Sequence, residues 1–243
     1  MVASSAADDA VRRARAMPNL RVGLHVVLVE ARPALPPEQI PDLVVADGYF
    51  RTDMPRLAFE IAFKPRVRAQ MAAEIAAQFA MFAATGLPFD HVDAHKHFHL
   101  HPLIARELIT NGKTFAARAI RVPAEPAAVV RVIDPSAAAL APRLLGQWAK
   151  LLRAQARRAG MATPDAVFGL AWSGAMTRER IKGALEKLPP GLVEIYTHPA
   201  TANAFPGHAP GYRYTDELAA LTDPDCIAAL QRSGFRLGGL GDG

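Results

Sequence analysis

Apolar residues along the chain form short strand-like runs separated by longer stretches with helical spacing. The runs that predict strands lie at 20–29, 89–93, 117–122, 166–170, 192–197 and 235–237. Helices are predicted over 8–16, from Pro65 to a C-cap at Gly86, from Pro102 onward, over 139–158 and over 178–188. Strands that alternate with helices predict a parallel sheet with helical crossovers, which places chemistry on loops at the carboxyl ends of the strands.

The composition is that of a globular protein, with 51% hydrophobic and 21% charged residues among 243. This length suits one domain over 1–243. The chain has no apolar run long enough to span a membrane, and its first 16 residues include Asp8 and Asp9 and do not resemble a signal peptide. The single Cys226 predicts a reducing, cytoplasmic environment, and we interpret it as a small apolar residue on a C-terminal helix.

The formal charge of +5 comes mostly from arginine and could favour an anionic membrane surface or nucleic acid. However, the arginines are scattered and no nucleic-acid-binding motif occurs. We therefore expect a solvated basic surface and no nucleic-acid partner.

Six of the eight histidines fall in two short segments. His25 follows Gly23-Leu24, and the others alternate with further residues from His91 to His101, with Asp93 among them. Because Pro102 should begin a helix, this second segment is predicted to run from the end of a strand into the loop after it. Convergent imidazoles beside a carboxylate predict a metal site, although His25 alone would more often be a core or loop residue.

A third candidate is His198, which follows the predicted strand at 192–197 and precedes Pro199. Its position at a strand end suits a general acid or base. The alternative interpretation is a loop histidine bonded to backbone. His208, in a Pro-Gly-His loop, is predicted to be a surface residue.

These segments resemble the YdjC-like carbohydrate deacetylases, and within them the branch associated with hopanoid biosynthesis. The resemblance is carried by Gly23-Leu24-His25, by Asp93-Ala94-His95-Lys96-His97-Phe98-His99 with Pro102, by Ile120-Arg121-Val122-Pro123 and by Glu194-Ile195-Tyr196-Thr197-His198-Pro199. The stretch from Phe168 to Gly174 is similar to the hopanoid branch in particular.

The resemblance implies an incomplete (β/α) barrel of the glycoside hydrolase/deacetylase type that carries a divalent metal. Imidazole ligands favour Zn²⁺, whereas the resemblance allows Mg²⁺. It implies His25 and His95 as metal ligands, and His198 as the group that protonates the departing amine. It also implies that Arg121 lies near the substrate, although pairing with an acidic neighbour such as Glu125 is an equal alternative. For Asp93, His97 and His99 two roles stay open: they could bind the metal themselves, or they could orient the residues that do.

The implied substrate is an N-acetylglucosaminyl group, on a hopanoid lipid for this branch, and the implied products are the free amine and acetate. Two other functions stay open: a metal-dependent amidase acting on non-sugar substrates, and a non-catalytic metal- or sugar-binding remnant.

One departure from the family pattern concerns its opening Ala-Asp-Asp-Phe-Gly segment, which carries the expected base and the third metal ligand. The chain does not contain it. Asp8 and Asp9 are a poor substitute because they are predicted to lie in the first turn of a helix. We expect a first βα unit to be missing, activity to be weak or absent without it, and the exposed neighbouring strand to favour a homodimer.

The helix predicted over 139–158 has an apolar stripe (Leu144, Leu145, Trp148, Leu151, Leu152) and a basic side (Arg143, Lys150, Arg153, Arg157, Arg158). Such a helix can lie on an anionic bilayer, which would give peripheral contact with the inner membrane. The alternative, which we favour, is that the stripe packs on the sheet.

Overall fold

The computed structural model describes residues 1–137 and 143–242. Its helices are α1 (Ala7–Arg15), α2 (Met54–Phe63), α3 (Pro65–Ala84), α4 (Pro102–Thr114), α5 (Ala127–Ile133), α6 (Arg143–Arg158), α7 (Arg178–Leu185), α8 (Tyr214–Leu221) and α9 (Pro224–Ser233). Its strands are β1 (Leu24–Val26), β2 (His91–Ala94), β3 (Ala119–Ile120), β4 (Ala166–Phe168) and β5 (Val193–Ile195). Short 3₁₀ helices occur at Pro37–Gln39, His95–Leu100 and Leu240–Asp242.

Five of the six predicted strand runs contain a strand, each shorter than its apolar run. The prediction at 235–237 is wrong, because this segment joins no strand ladder and Leu237 is 85% exposed. The predicted helices are confirmed, and for 139–158 this holds from Arg143 onward, since 138–142 lie outside the described residues. The helix at 8–16 is observed as α1, with Asp8 and Asp9 in its first turn, so they do not end a strand.

Two compact units divide the chain. The first contains Met1–Arg121, Trp148–Thr163 and Gly238–Gly243, and the second contains Val122–Gln147 and Pro164–Leu237. The expectation of a single domain over 1–243 stays a prediction.

The first unit is built on a parallel sheet with the strand order β1-β2-β3. Its register sets His25 beside Asp93 and Val26 beside Ala94. Helices α3 and α4 pack against each other and against strands of this sheet. The parallel register therefore brings the ends of two histidine-bearing segments together.

Two buried polar side chains of α3 hold the segment that follows β1. The Gln78 amide accepts a hydrogen bond from Val27 N at 3.0 Å and donates one to Val27 O at 2.7 Å. The Glu74 carboxylate accepts from Ala34 N at 2.8 Å and from Leu35 N at 2.9 Å. Both side chains are almost fully buried, so these bonds satisfy groups that would otherwise be costly to bury.

The second unit contains the parallel pair β4-β5 and an apolar core beside it. Phe168, Trp172 and Met176 lie in that core with side chains of α7, α8 and α9. Cys226 on α9 is 3% exposed, which confirms its interpretation as a small buried residue on a C-terminal helix.

Helix α6 buries Ala149, Leu152 and Ala156, whereas Leu151 is 45% exposed. The Trp148 ring lies against His101, with ring centroids 6.3 Å apart. This burial agrees with the favoured prediction that the apolar side of the helix packs inside the protein. Across the described residues, no helix has the length and apolar character needed to cross a membrane.

Candidate active site

The first part of the candidate site is a histidine held by a buried aspartate. The backbone register of β1 and β2 sets them side by side, and His25 Nδ1 lies 2.8 Å from Asp93 Oδ1. Gly23, two residues earlier, has no side chain where the His91 ring packs, since a Cβ there would lie 2.5 Å from that ring. When the Nδ1–H group of a histidine donates to a carboxylate, the lone pair of the ring lies on Nε2. Histidines that bind metals commonly have such a carboxylate partner.

Asp93 is also paired with Arg121, whose side chain is 13% exposed. Burial alone would raise the pKa of Asp93, but the charges of His25 and Arg121 more than offset it and hold this pKa well below its usual range. Arg121 therefore does form an ion pair, as one of its two interpretations predicted, but its partner is Asp93 and not Glu125. Glu125 accepts hydrogen bonds from the backbone N–H groups of Gly169, Leu170 and Ala171.

His95 follows the end of β2, and its ring centroid lies 5.7 Å from that of His25. Burial, with the nearby charge of His25, lowers the pKa of His95 and favours the neutral ring that binds a metal. Its Nε2 lies 3.5 Å from the Glu30 carboxylate, which also pairs with Lys96. The sequence reasoning missed Glu30.

The backbone around His95 is unusual. Glu30, Lys96 and His97 have φ values of 64°, 53° and 54°, in the left-handed region that non-glycine residues rarely adopt. Each such residue costs on the order of 1–3 kcal/mol and is often found at functional sites. In a continuous strand, alternate residues would point to the same side. The left-handed turns at Lys96 and His97 interrupt that geometry, so the histidines from 95 to 101 do not share one face. The prediction that this segment runs from a strand end into a loop is confirmed.

The remaining histidines of the segment serve separate contacts. His99 is fully buried and donates from Nε2 to Arg121 O at 2.9 Å. Burial lowers the pKa of His97 to about 3 and that of His99 to about 4, so both rings are neutral at ordinary pH. His101 accepts from Leu103 N at the start of α4. The His97 ring lies beside that of His99, with centroids 6.2 Å apart. Orienting roles for His97 and His99 stay predictions.

The donor set at the strand ends fits part of a divalent-metal site. His25 and His95 offer two neutral imidazoles, one of them oriented by Asp93. Over residues 1–137 and 143–242, no group of three or more His, Cys, Asp or Glu side chains is placed to hold a metal ion. His25 and His95 are two of the three donors that the resemblance implies, and their roles as ligands stay predictions.

His198 belongs to the second unit and follows β5. Its backbone N donates to the Glu217 carboxylate, and its ring packs against two tyrosines. The centroid distances are 5.4 Å to Tyr196 and 5.0 Å to Tyr212. Both tyrosines are additions to the residues predicted from sequence. His208 is exposed, as expected.

Two glycines give these tyrosines room. A Cβ on Gly169 would meet Tyr196, and one on Gly174 would overlap the Tyr212 ring. Ser173 Oγ lies 2.9 Å from the Tyr212 hydroxyl, which fixes that ring further. The segment from Phe168 to Gly174 thus shapes the surroundings of His198.

Replacing Gly174 with alanine is expected to displace Tyr212 and to lower the free energy of unfolding by about 2–5 kcal/mol, through backbone strain plus overpacking. Gly207→Ala is the matched control, because Gly207 has a similar φ of 82° against 74° and open space around it. Urea unfolding of both variants measures the difference. Equal losses would show that Tyr212 does not depend on the bare backbone of Gly174.

These observations define an α/β protein with parallel sheets, in which histidines lie on the strands or directly after them. A family model described as YdjC-like protein matches residues 1–232. The chain belongs to the YdjC-like family.

Several relatives are carbohydrate deacetylases. The chain is 27% identical to that of Geobacillus stearothermophilus over 235 residues, which covers 96% of this chain and 80% of the relative. It is 29% identical to that of Mus musculus, covering 100% and 84%. A crystal structure of a candidate cellobiose-phosphate cleavage protein from Enterococcus faecalis V583 has a TM-score of 0.73 and 22% identity, and covers 100% of this chain and 85% of that one. It shows the same fold.

Proposed function

We propose that this chain hydrolyses the N-acetyl group of an N-acetylglucosamine-type sugar with a divalent metal and releases acetate. The observation that carries this proposal is the placement of His25 within β1 and of His95 directly after the neighbouring parallel strand β2, with the His25 ring fixed by buried Asp93. The carbohydrate deacetylase relatives support sugar deacetylation. The incomplete (β/α) barrel implied by the family resemblance is part of the proposal.

His25 and His95 would hold the metal, and Zn²⁺ and Mg²⁺ are the candidates. When bound, such an ion supplies polarisation of the acetyl carbonyl and a lowered pKa for a water molecule. Asp93 accepts the Nδ1 proton of His25 and so keeps the Nε2 lone pair available. Arg121 neutralises Asp93, and its position near the substrate stays part of the proposal.

Hydrolysis adds a water oxygen to the acetyl carbon and breaks the C–N bond, and the nitrogen then takes up a proton. We assign donation of that proton to His198, whose ring is held by Tyr196, Tyr212 and the Glu217 anchor of its backbone. A carboxylate base and a third metal ligand would come from the aspartate segment that opens other family members. We propose that activity depends on such a segment.

For the substrate, we propose an N-acetylglucosaminyl group on a hopanoid lipid. This finer proposal is supported by the similarity of the stretch from Phe168 to Gly174 to the hopanoid branch.

The test measures acetate released from N-acetylglucosaminyl hopanoid, from a soluble N-acetylglucosamine oligosaccharide and from simple amides. It compares the chain as printed with one extended by an aspartate-bearing βα unit, each with metal and with chelator. We expect chelator-sensitive release from the sugars, larger in the extended chain by about 10²–10⁴. Equal release from simple amides would favour an amidase, and metal binding without release would favour a binding protein.

A further inference from the structure

Helix α2 presents two aromatic rings to solvent. Phe59 and Phe63 are 61% and 69% exposed, and their ring centroids lie 4.7 Å apart, one helical turn from each other. The opposite face of the helix buries Leu57 and Ile61 completely. The helix is therefore already anchored to the first unit, so the core does not need the aromatic pair. Two adjacent exposed rings form an apolar patch on which a partner can dock.

Cations flank this aromatic pair. The side chains of Arg56, Lys64 and Arg66 are 70%, 56% and 73% exposed. With Arg51 they line an open cleft of about 570 Å³. We call Phe59, Phe63, Arg56, Lys64 and Arg66 the α2 surface.

The carboxylates near this surface do not balance its charge. Glu60 is shared by Arg51, Arg56 and Lys64, at 2.6, 3.3 and 3.0 Å, and its own side chain is 8% exposed. Asp42 pairs with Arg66 at 2.9 Å, and Asp53 caps the start of α2. Glu60 and Asp42 thus pair with the four cations of the cleft, and with Asp53 included the cations still exceed the carboxylates by four to three.

The segment that leads into α2 is hydrogen-bonded to a residue that contacts His95. Glu30, whose carboxylate contacts His95, donates its backbone N–H to Arg51 O at 3.3 Å, three residues before α2. One hydrogen bond therefore ties the start of α2 to a neighbour of a candidate metal ligand.

We propose that the α2 surface docks on an anionic lipid bilayer, with Phe59 and Phe63 entering the acyl boundary and the arginines and lysine meeting lipid phosphates. Aromatic residues on one side of a helix with cations beside them are the pattern of interfacial binding. A second copy of this chain is a poorer partner, because it would bring the same cations face to face. Docking here would present a lipid-linked amino sugar to His25 and His95, and this last clause alone rests on the proposed function.

The test is co-sedimentation with vesicles of phosphatidylcholine alone or mixed with phosphatidylglycerol, without sugar or added metal. Binding should require the anionic lipid and weaken at high salt. Phe59→Ser/Phe63→Ser should reduce the partition coefficient by about tenfold or more. Arg56→Gln and Arg66→Gln should each reduce it by about fivefold. Leu237→Ser, at an 85% exposed site, and Arg106→Gln, at a 59% exposed side chain, are the matched controls and should leave it unchanged.

Binding that the aromatic and arginine variants leave unchanged would overturn the proposal. Self-association abolished by Phe59→Ser/Phe63→Ser, without vesicle binding, would assign the surface to a second copy instead. Free glycerol phosphate should not displace the vesicles, and displacement would indicate an anion site in place of a bilayer surface. Because this assay contains no substrate, its failure is distinct from failure of deacetylation.

Discussion

His95→Ala is expected to abolish tight divalent-metal binding and the acetate release that depends on it. His95 is one of the two imidazoles that we propose as metal ligands, and burial lowers its pKa so that the ring is neutral. Changes to groups behind a ligand already cost 10- to 100-fold in metal affinity, so loss of the ligand itself should cost at least about 100-fold. Calorimetric titration with Zn²⁺ and Mg²⁺ measures this directly.

His25→Ala should give the same loss, because the two rings are proposed to share one ion. His208→Ala is the control, since His208 is exposed and bonded to Phe205 O within its own loop. Wild-type affinity in either His25→Ala or His95→Ala would remove that residue from the metal site. The affinity measurement does not require turnover, so it stands whether or not the printed chain is active.

Asp93→Asn is expected to have the largest effect on stability. It would leave the Arg121 guanidinium, 13% exposed, without the carboxylate that balances it. Breaking a buried ion pair by removal of one partner costs about 3–5 kcal/mol. It would also free the His25 ring, which should weaken metal binding by about 10- to 100-fold.

The double variant Asp93→Asn/Arg121→Met separates these two effects. Removing both charges should recover much of the lost free energy of unfolding, because no unpaired buried charge remains. It should not recover metal affinity, since His25 still lacks its carboxylate. Unfolding in urea and metal titration on Asp93→Asn, Arg121→Met and the double variant complete the cycle. Recovery of both properties would show that Asp93 acts only as the partner of Arg121.

The approach of the two histidine segments could be predicted from the sequence because each accompanies a predicted strand of a parallel sheet. The metal site itself stays a prediction. His25 and Asp93 belong to apolar runs that became neighbouring parallel strands, and their register followed. Glu30 could not be predicted in this way. It reaches His95 from a loop residue with a φ of 64°, and no spacing rule describes such a turn.

Helix α2 was missed for a different reason. It buries Glu60 beside Leu57 and Ile61 and exposes Phe59 and Phe63, so its apolar residues lie on both faces and the pattern used to recognise a helix is obscured. Glu60 is tolerated inside because three cations surround it. The strand predicted at 235–237 was a false positive, because this segment contains apolar residues but does not pair with a strand. An apolar pattern predicts which residues are buried. Both errors arise where a polar residue is buried or an apolar one is exposed.

The hydrogen bonds of Gln78 and Glu74 have a consequence for the residues on either side of them. These two side chains of α3 bind the backbone at Val27 and at Ala34–Leu35. His25 lies two residues before Val27, and Glu30, which contacts His95, lies between the two bonded positions. A change at Gln78 or Glu74 would therefore reach the candidate metal ligands through the backbone, although neither side chain touches them.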